Sequence, residues 1–176
     1  SMCLPTRVHI EKEEFDLDDL EKNLLTSIIE KLEEENYKVV CVGGIAIYIH
    51  SIIRRQPYKY ITDDIDLKIF KGDGYEHCNK NDYAKIYSYI GEIINELPPR
   101  KREIIAHLQT LKLPYSSTDT RFEAIKIGLL SPKKLLPFID ISVSQMSDDA
   151  DEQLQISSRD IDEVDWGKQR FKILKP

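Results

Sequence analysis

The chain has 176 residues, 41% of them apolar and 32% charged, and carries a formal net charge of −6 at pH 7. That length and balance predict one domain with its own core, and they exclude both a disordered chain and two full-sized domains. The surplus of acids excludes a polycation that clings to nucleic acid over its whole surface. A nucleic-acid contact would need a local basic patch, a partner subunit or a further C-terminal domain. Cys3, Cys41 and Cys78 are an odd number at wide spacings, without a C-x-x-C element. They read as reduced thiols of an intracellular, cytoplasmic protein, with no disulfide framework and no zinc site. His77, beside Cys78, lacks zinc-ligand spacing and is expected in a polar loop. No apolar run approaches the ~20 residues that span a bilayer, and no signal peptide is evident, so no membrane role is expected. Ser1 ahead of Met2 reads as the scar of a cleaved tag.

From about Ile10 to Asn36, Phe15, Leu17, Leu20, Leu24, Ile28, Ile29 and Leu32 recur at a helical period, with Asp16 or Asp18 as cap. Lys38–Val42 is a β-branched run ending at Gly43, expected as a buried strand, and Ile45–Ile53 as a helix packed on it. Ile65–Phe70 is predicted as the second strand and Lys71–Asn81, with Gly72 and Gly74, as a loop. Asp82–Leu97 is a helix stopped by Pro98-Pro99, and Arg100–Leu111 a further helical segment. Arg121–Leu129, Phe138–Ser144 and Arg170–Leu174 read as strands. Between the last two, the acidic stretch from Ser147 to Asp165 (147–165) is expected as a surface excursion. No internal repeat is present. The pattern predicts a single domain over 1–176 of the α/β or α+β class, a small mixed sheet flanked by helices.

Gly43-Gly44 and the later run Thr62-Asp63-Asp64-Ile65-Asp66-Leu67 carry the chemistry. Alternate side chains of a strand share a face, so Asp64 and Asp66 project together while Ile65 and Leu67 enter the core. Two carboxylates side by side repel, and a hard cation such as Mg²⁺ relieves that repulsion. Asp63 falls on the opposite face. Glycines between a strand and a helix leave backbone N–H groups bare for a phosphate. The two elements together suggest a nucleoside triphosphate held over metal ions. The bland readings are a solvated strand end for the acids and a tight turn for the glycines. Asp140, inside Phe138-Ile139-Asp140-Ile141-Ser142, is either a third ligand or a buried hydrogen-bonded acid.

A glycine pair leaving a strand, Asp-x-Asp on the next strand and an Asp on a later one resemble the DNA polymerase beta-like nucleotidyltransferase superfamily. The stretches "VGGIAIYIH", "TDDIDLKIF" and "FIDISV" are most similar to the catalytic domains of poly(A) polymerases of large DNA viruses, over roughly residues 38 to 145. The resemblance implies the nucleotidyltransferase fold, a viral setting within the infected host cell, and polyadenylation-like transfer of a nucleoside monophosphate from an NTP, ATP above others, to an RNA 3′ end. It implies two Mg²⁺ or Mn²⁺ ions, bridged by Asp64 and Asp66, with Asp140 on the ion beside the acceptor hydroxyl. Gly43, Gly44 and Ile45 fall where the family holds the triphosphate. Many members have Ser or Thr where this chain has Ile45, and complete polymerases of this type add a domain that closes over base and primer. Two other readings stay open: a nucleotidyltransferase toxin modifying tRNA or protein, and a catalytically silent copy acting as a binding subunit. Arg54-Arg55 would meet triphosphate or acceptor, or simply end a helix in solvent. Arg100-Lys101-Arg102 is the best local basic patch, or an exposed helix start. Tyr58, Tyr60 and Tyr115 are candidates for base stacking.

Overall fold

Buried β-branched runs form the centre of a sheet in the computed structural model, which describes residues 7–10, 19–55, 65–97, 105–113, 122–129, 137–144, 156–166 and 169–175. In chain order the elements are β1 (Arg7–Ile10), α1 (Asp19–Glu34), β2 (Tyr37–Val42), α2 (Gly43–Ile53), β3 (Ile65–Lys71), α3 (Lys80–Glu96), β4 (Ile105–Leu113), β5 (Phe122–Leu129), β6 (Pro137–Val143), β7 (Ile161–Trp166) and β8 (Gln169–Leu174), with a 3₁₀ turn at Ser158–Asp160. Among the described residues the eight strands make one mixed sheet in the order β1-β7-β8-β2-β3-β6-β5-β4. β2 and β3 run antiparallel, while β3 and β6 run parallel. The protein is therefore a mixed domain of helices and sheet, consistent with the α+β class.

Three helices cover one face of that sheet. α1 turns Leu24, Leu25, Ile28, Ile29 and Leu32 inward, α2 contributes Ile45 and Ile49, and α3 contributes Ile86 and Ile90. They meet Val39 and Cys41 of β2, Leu67 and Ile69 of β3, Ile139 and Ile141 of β6, and Phe171 and Ile173 of β8. Each fully buried Leu or Ile contributes about 1.5–3 kcal/mol, so this layer dominates the stability. A smaller cluster of Val40, Phe70, Tyr75, Ile156 and Ile161 packs on the opposite face. Cys41 and Cys78 are buried free thiols, and burial pushes both up to about 12, which keeps them protonated and inert.

Polar anchors fix the helices in register. The Glu33 carboxylate accepts from the Val39 backbone N–H and from Lys172 Nζ (2.6 Å), and also pairs with Lys38. Asn79 and Asp82 form a reciprocal capping box at the start of α3. His50, near the end of α2, bonds through Nε2 to the Leu174 carbonyl at 2.9 Å, tying that helix to β8.

The structure differs from the sequence expectations in three places. Arg7–Ile10 pairs in parallel with β7, so the first helix begins at Asp19 and not near Ile10. The helix expected over Arg100–Leu111 is replaced, from Ile105, by strand β4, which pairs with β5 along its length. Ile105, Leu108 and Leu111 carry a helical spacing, and the antiparallel pairing with β5 overrides it. The excursion expected over 147–165 is interrupted by β7: Ile161 and Val164 are buried while Asp162, Glu163 and Asp165 remain half-exposed. Among the described residues no helix is long and apolar enough to cross a membrane.

Candidate functional site

The junction of β2 and α2 sets the site. The residue capping α2 is Val42, whose side chain forms no capping bond, so the first N–H groups of the helix look to acceptors from elsewhere. Gly43 follows with φ +66°, a left-handed conformation that costs other residues about 1–2 kcal/mol. A Cβ placed on Gly43 would stand 2.6 Å from Asp66 Oδ2, so only glycine lets this carboxylate lie against the helix start. Gly44 is the second residue of the helix, and Ile45, 2% exposed, turns its side chain into the core. What Ile45 offers a phosphate is its backbone N–H.

β3 supplies the acid by alternation: Ile65, Leu67 and Ile69 are buried towards the helices, and Asp66 occupies the other face. Asp66 pairs with Val42 on one side and with Asp140 of β6 on the other. Directly paired residues of neighbouring strands share a face about 4.8 Å apart, so the parallel register sets two carboxylates side by side. Both residues are half-buried, and Asp140 Oδ1 is sealed from solvent. The structure thus brings Gly43, Asp66 and Asp140 to one place, with Gly44 and Ile45 in the adjoining helical turn. Asp64 lies outside the described residues.

These donors fit a hard divalent cation, since they are oxygen ligands whose mutual repulsion the ion would relieve. Among the described residues no group of three or more His, Cys, Asp or Glu gathers as a metal cage. Asp66 and Asp140 would offer such an ion two carboxylates, with Asp64 the expected third. The helix start adds its partial positive charge, favourable to an anion beside the cation.

Other sequence candidates sit elsewhere. Arg54 and Arg55 are exposed at the far end of α2, roughly 16 Å from Gly43 at 1.5 Å per residue. Tyr58, Tyr60, the Arg100–Arg102 patch and Tyr115 fall outside the described residues. His77 lies in the loop after β3, with Nδ1 2.7 Å from Ser144 Oγ. There it lines a cleft of about 890 Å³ together with Tyr75, Asn79, Ser157, Arg159 and Asp160. That cleft opens at the C-terminal end of β3, away from Asp66, and several of its polar groups serve the fold. Asn79 Oδ1 accepts from the Asp82 N–H, and Asp160 Oδ2 accepts from Ser157. The carboxylate pair is the stronger candidate because it is in register on neighbouring strands and lies against the glycine turn that opens α2. One neighbour escaped the sequence reading: Lys68, two residues beyond Asp66 and on the same face, flanked by Val40 and Ser142. The period-2 alternation that paired Asp64 with Asp66 extends to it. No protein family, curated protein or solved structure matches this chain on comparison.

Proposed function

We propose that the chain is a metal-dependent nucleotidyltransferase that moves a nucleoside monophosphate from an NTP to an acceptor hydroxyl, with ATP as donor and an RNA 3′ end as acceptor. The observation that carries this reading is the register match of Asp66 with Asp140, set against a glycine whose missing side chain makes room for the carboxylate. Asp66 and Asp140, with Asp64, would hold Mg²⁺ or Mn²⁺. Such ions, when bound, make the acceptor hydroxyl a better nucleophile and offset charge on the departing pyrophosphate. The chain's own contributions are separable from that chemistry. The N–H groups of Gly43, Gly44 and Ile45 would bind and orient phosphate oxygens, which needs no side chain at these positions. Asp140, half-buried beside Asp66, would orient the acceptor hydroxyl and accept its proton. The rigid β3–β6 register keeps the two carboxylates from separating when no cation is bound.

A transfer assay tests this reading: labelled NTP with Mg²⁺ or Mn²⁺, and a panel of RNAs, tRNA and proteins. Metal-dependent label on RNA 3′ ends is the expected result. Label on protein, or a single nucleotide added to tRNA, would move the reading to a modifying toxin. Absence of transfer to every acceptor, together with absence of metal-linked stabilisation by NTP, would leave a silent binding subunit.

A further inference from the structure

Four described lysines stand on the sheet face that carries Asp66: Lys38 of β2, Lys68 of β3, Lys172 of β8 and Lys126 of β5, the last in register with Asp140. Two of them are matched by carboxylates. Lys172 Nζ meets Glu33 at 2.6 Å, and Lys38 Nζ meets Asp73 at 3.1 Å and Glu33 at 3.6 Å. The Lys68 ammonium makes no ion pair and no hydrogen bond among the described residues; Nζ lies 5.8 Å from the centre of the Phe70 ring. The side chain leans along β3 away from Asp66, so its ammonium does not neutralise the carboxylate pair. A half-buried cation without a counter-ion is unfavourable in the free protein, which makes it a ready receptor for an incoming anion.

The strand registers say which anion. Gly43 follows Val42, which pairs with Asp66, whereas Lys68 pairs with Val40, two residues earlier on β2. Along this face the order is therefore glycine turn, carboxylate pair, Lys68, with Lys68 roughly 7 Å beyond Asp66 on the side away from the turn. If the triphosphate lies at the turn and the cations at the carboxylates, Lys68 stands on the acceptor side. We infer that Lys68 contacts a phosphodiester of a single-stranded RNA acceptor next to its reacting 3′ end, placing that strand across β3 and β6. This inference rests on the nucleotidyltransferase reading for its assignment of sides. It also gives an acidic chain the local cation that its net charge of −6 demands for such a substrate.

The test is fluorescence anisotropy with a short 5′-labelled RNA over a salt series, for wild type, Lys68→Gln, Lys68→Met and Lys68→Arg, alongside the thermal shift produced by MgATP. Met keeps the apolar stem against Phe70, and unchanged circular dichroism and melting establish that each variant is folded. Gln and Met are expected to weaken RNA binding about 5–10-fold regardless of sequence, and to lower the slope of log K against log salt by ~0.7. Arg should restore both, and the MgATP shift should stay at its wild-type size in all variants. RNA binding equal to wild type in Gln and Met would overturn the inference. So would a lost MgATP shift with RNA binding retained, which would assign Lys68 to the triphosphate, or a wild type that binds no RNA. If RNA binding depends on Lys68 but no nucleotide is transferred, the transferase reading falls while this contact stands.

Discussion

Asp82 and Asp66 are both carboxylates set against the beginning of a helix, and their neighbours differ in kind. Asp82, 2% exposed, is met by donors: the Tyr37 hydroxyl at 2.8 Å, the Asn79 N–H at 2.9 Å and Lys71 Nζ at 3.2 Å. Burial alone would raise its pKa, but the hydrogen bonds from Asn79, Tyr37 and Lys71 outweigh burial and hold the acid below the ordinary carboxylate range. Beside Asp66 the register places another acid, Asp140. A carboxylate ringed by donors ties helix to sheet; on the proposed reading, two carboxylates in register at a glycine turn would suit a cation from solution. On that reading the same side chain is structural in one setting and chemical in the other, and its neighbours decide which.

The largest test of that contrast is Asp66→Asn. Nucleotide transfer should fall at least ~10³-fold, as expected when several kcal/mol of charge stabilisation is lost. Thermal stability should change far less than transfer, since the substitution keeps the side chain's size and the strand register. A clear loss of melting temperature with activity kept would reverse the assignment. Next is Gly43→Ala, which introduces left-handed strain of about 1–2 kcal/mol and drives Asp66 Oδ2 from its place. Transfer and metal-linked stabilisation should both drop by more than this strain explains, read by kinetics and thermal shift in parallel.

Asp82→Asn should do the opposite: destabilise by about 2–3 kcal/mol, lowering the melting temperature by roughly 5–10 °C, while the proposed transfer by the folded protein is kept. The sign of its pH dependence follows from the lowered pKa. The stabilisation by Asp82 is fully present above its unfolded pKa near ~3.9, and it is lost as pH falls through the lower folded value. Urea unfolding between neutral and strongly acid pH should therefore show a shallower acid-side loss of stability in Asp82→Asn than in wild type. Tyr37→Phe, which removes one donor to Asp82 and leaves the others, should cost only about 1 kcal/mol.

Much of the central architecture was legible because its residues report their surroundings directly. Val39–Val42 and Ile139–Val143 are apolar enough to read as buried strands, and Gly43 marked the end of the first run. The alternation Ile65, Asp66, Leu67 placed Asp66 on the face away from the helices, where the structure has it. β7 escaped notice because its two buried apolar residues, Ile161 and Val164, are three apart and enter different clusters on opposite faces. Such a strand has no period of two to detect. β4 was misread because its leucines suit a helix in isolation and only its pairing with β5 selects the strand. The resemblance alone set Asp66 and Asp140 at one site; their direct pairing was hidden, since no local pattern states which strands will be neighbours or in what register. The close approach of Asp66 to Gly43 was equally hidden, because a glycine pair announces an absent side chain without saying what fills the gap.

The parallel pairing of β3 with β6 joins segments more than seventy positions apart, with α3, β4 and β5 between them. Parallel neighbours require such a long crossover, and the loop closure opposes folding until the final pairing forms. Any ligand that grips both strands accordingly rewards the completed domain and none of its fragments. Its dissociation constant becomes a gauge of global cooperativity, so that mutations deep under the helices should weaken capture in proportion to the unfolded population they create.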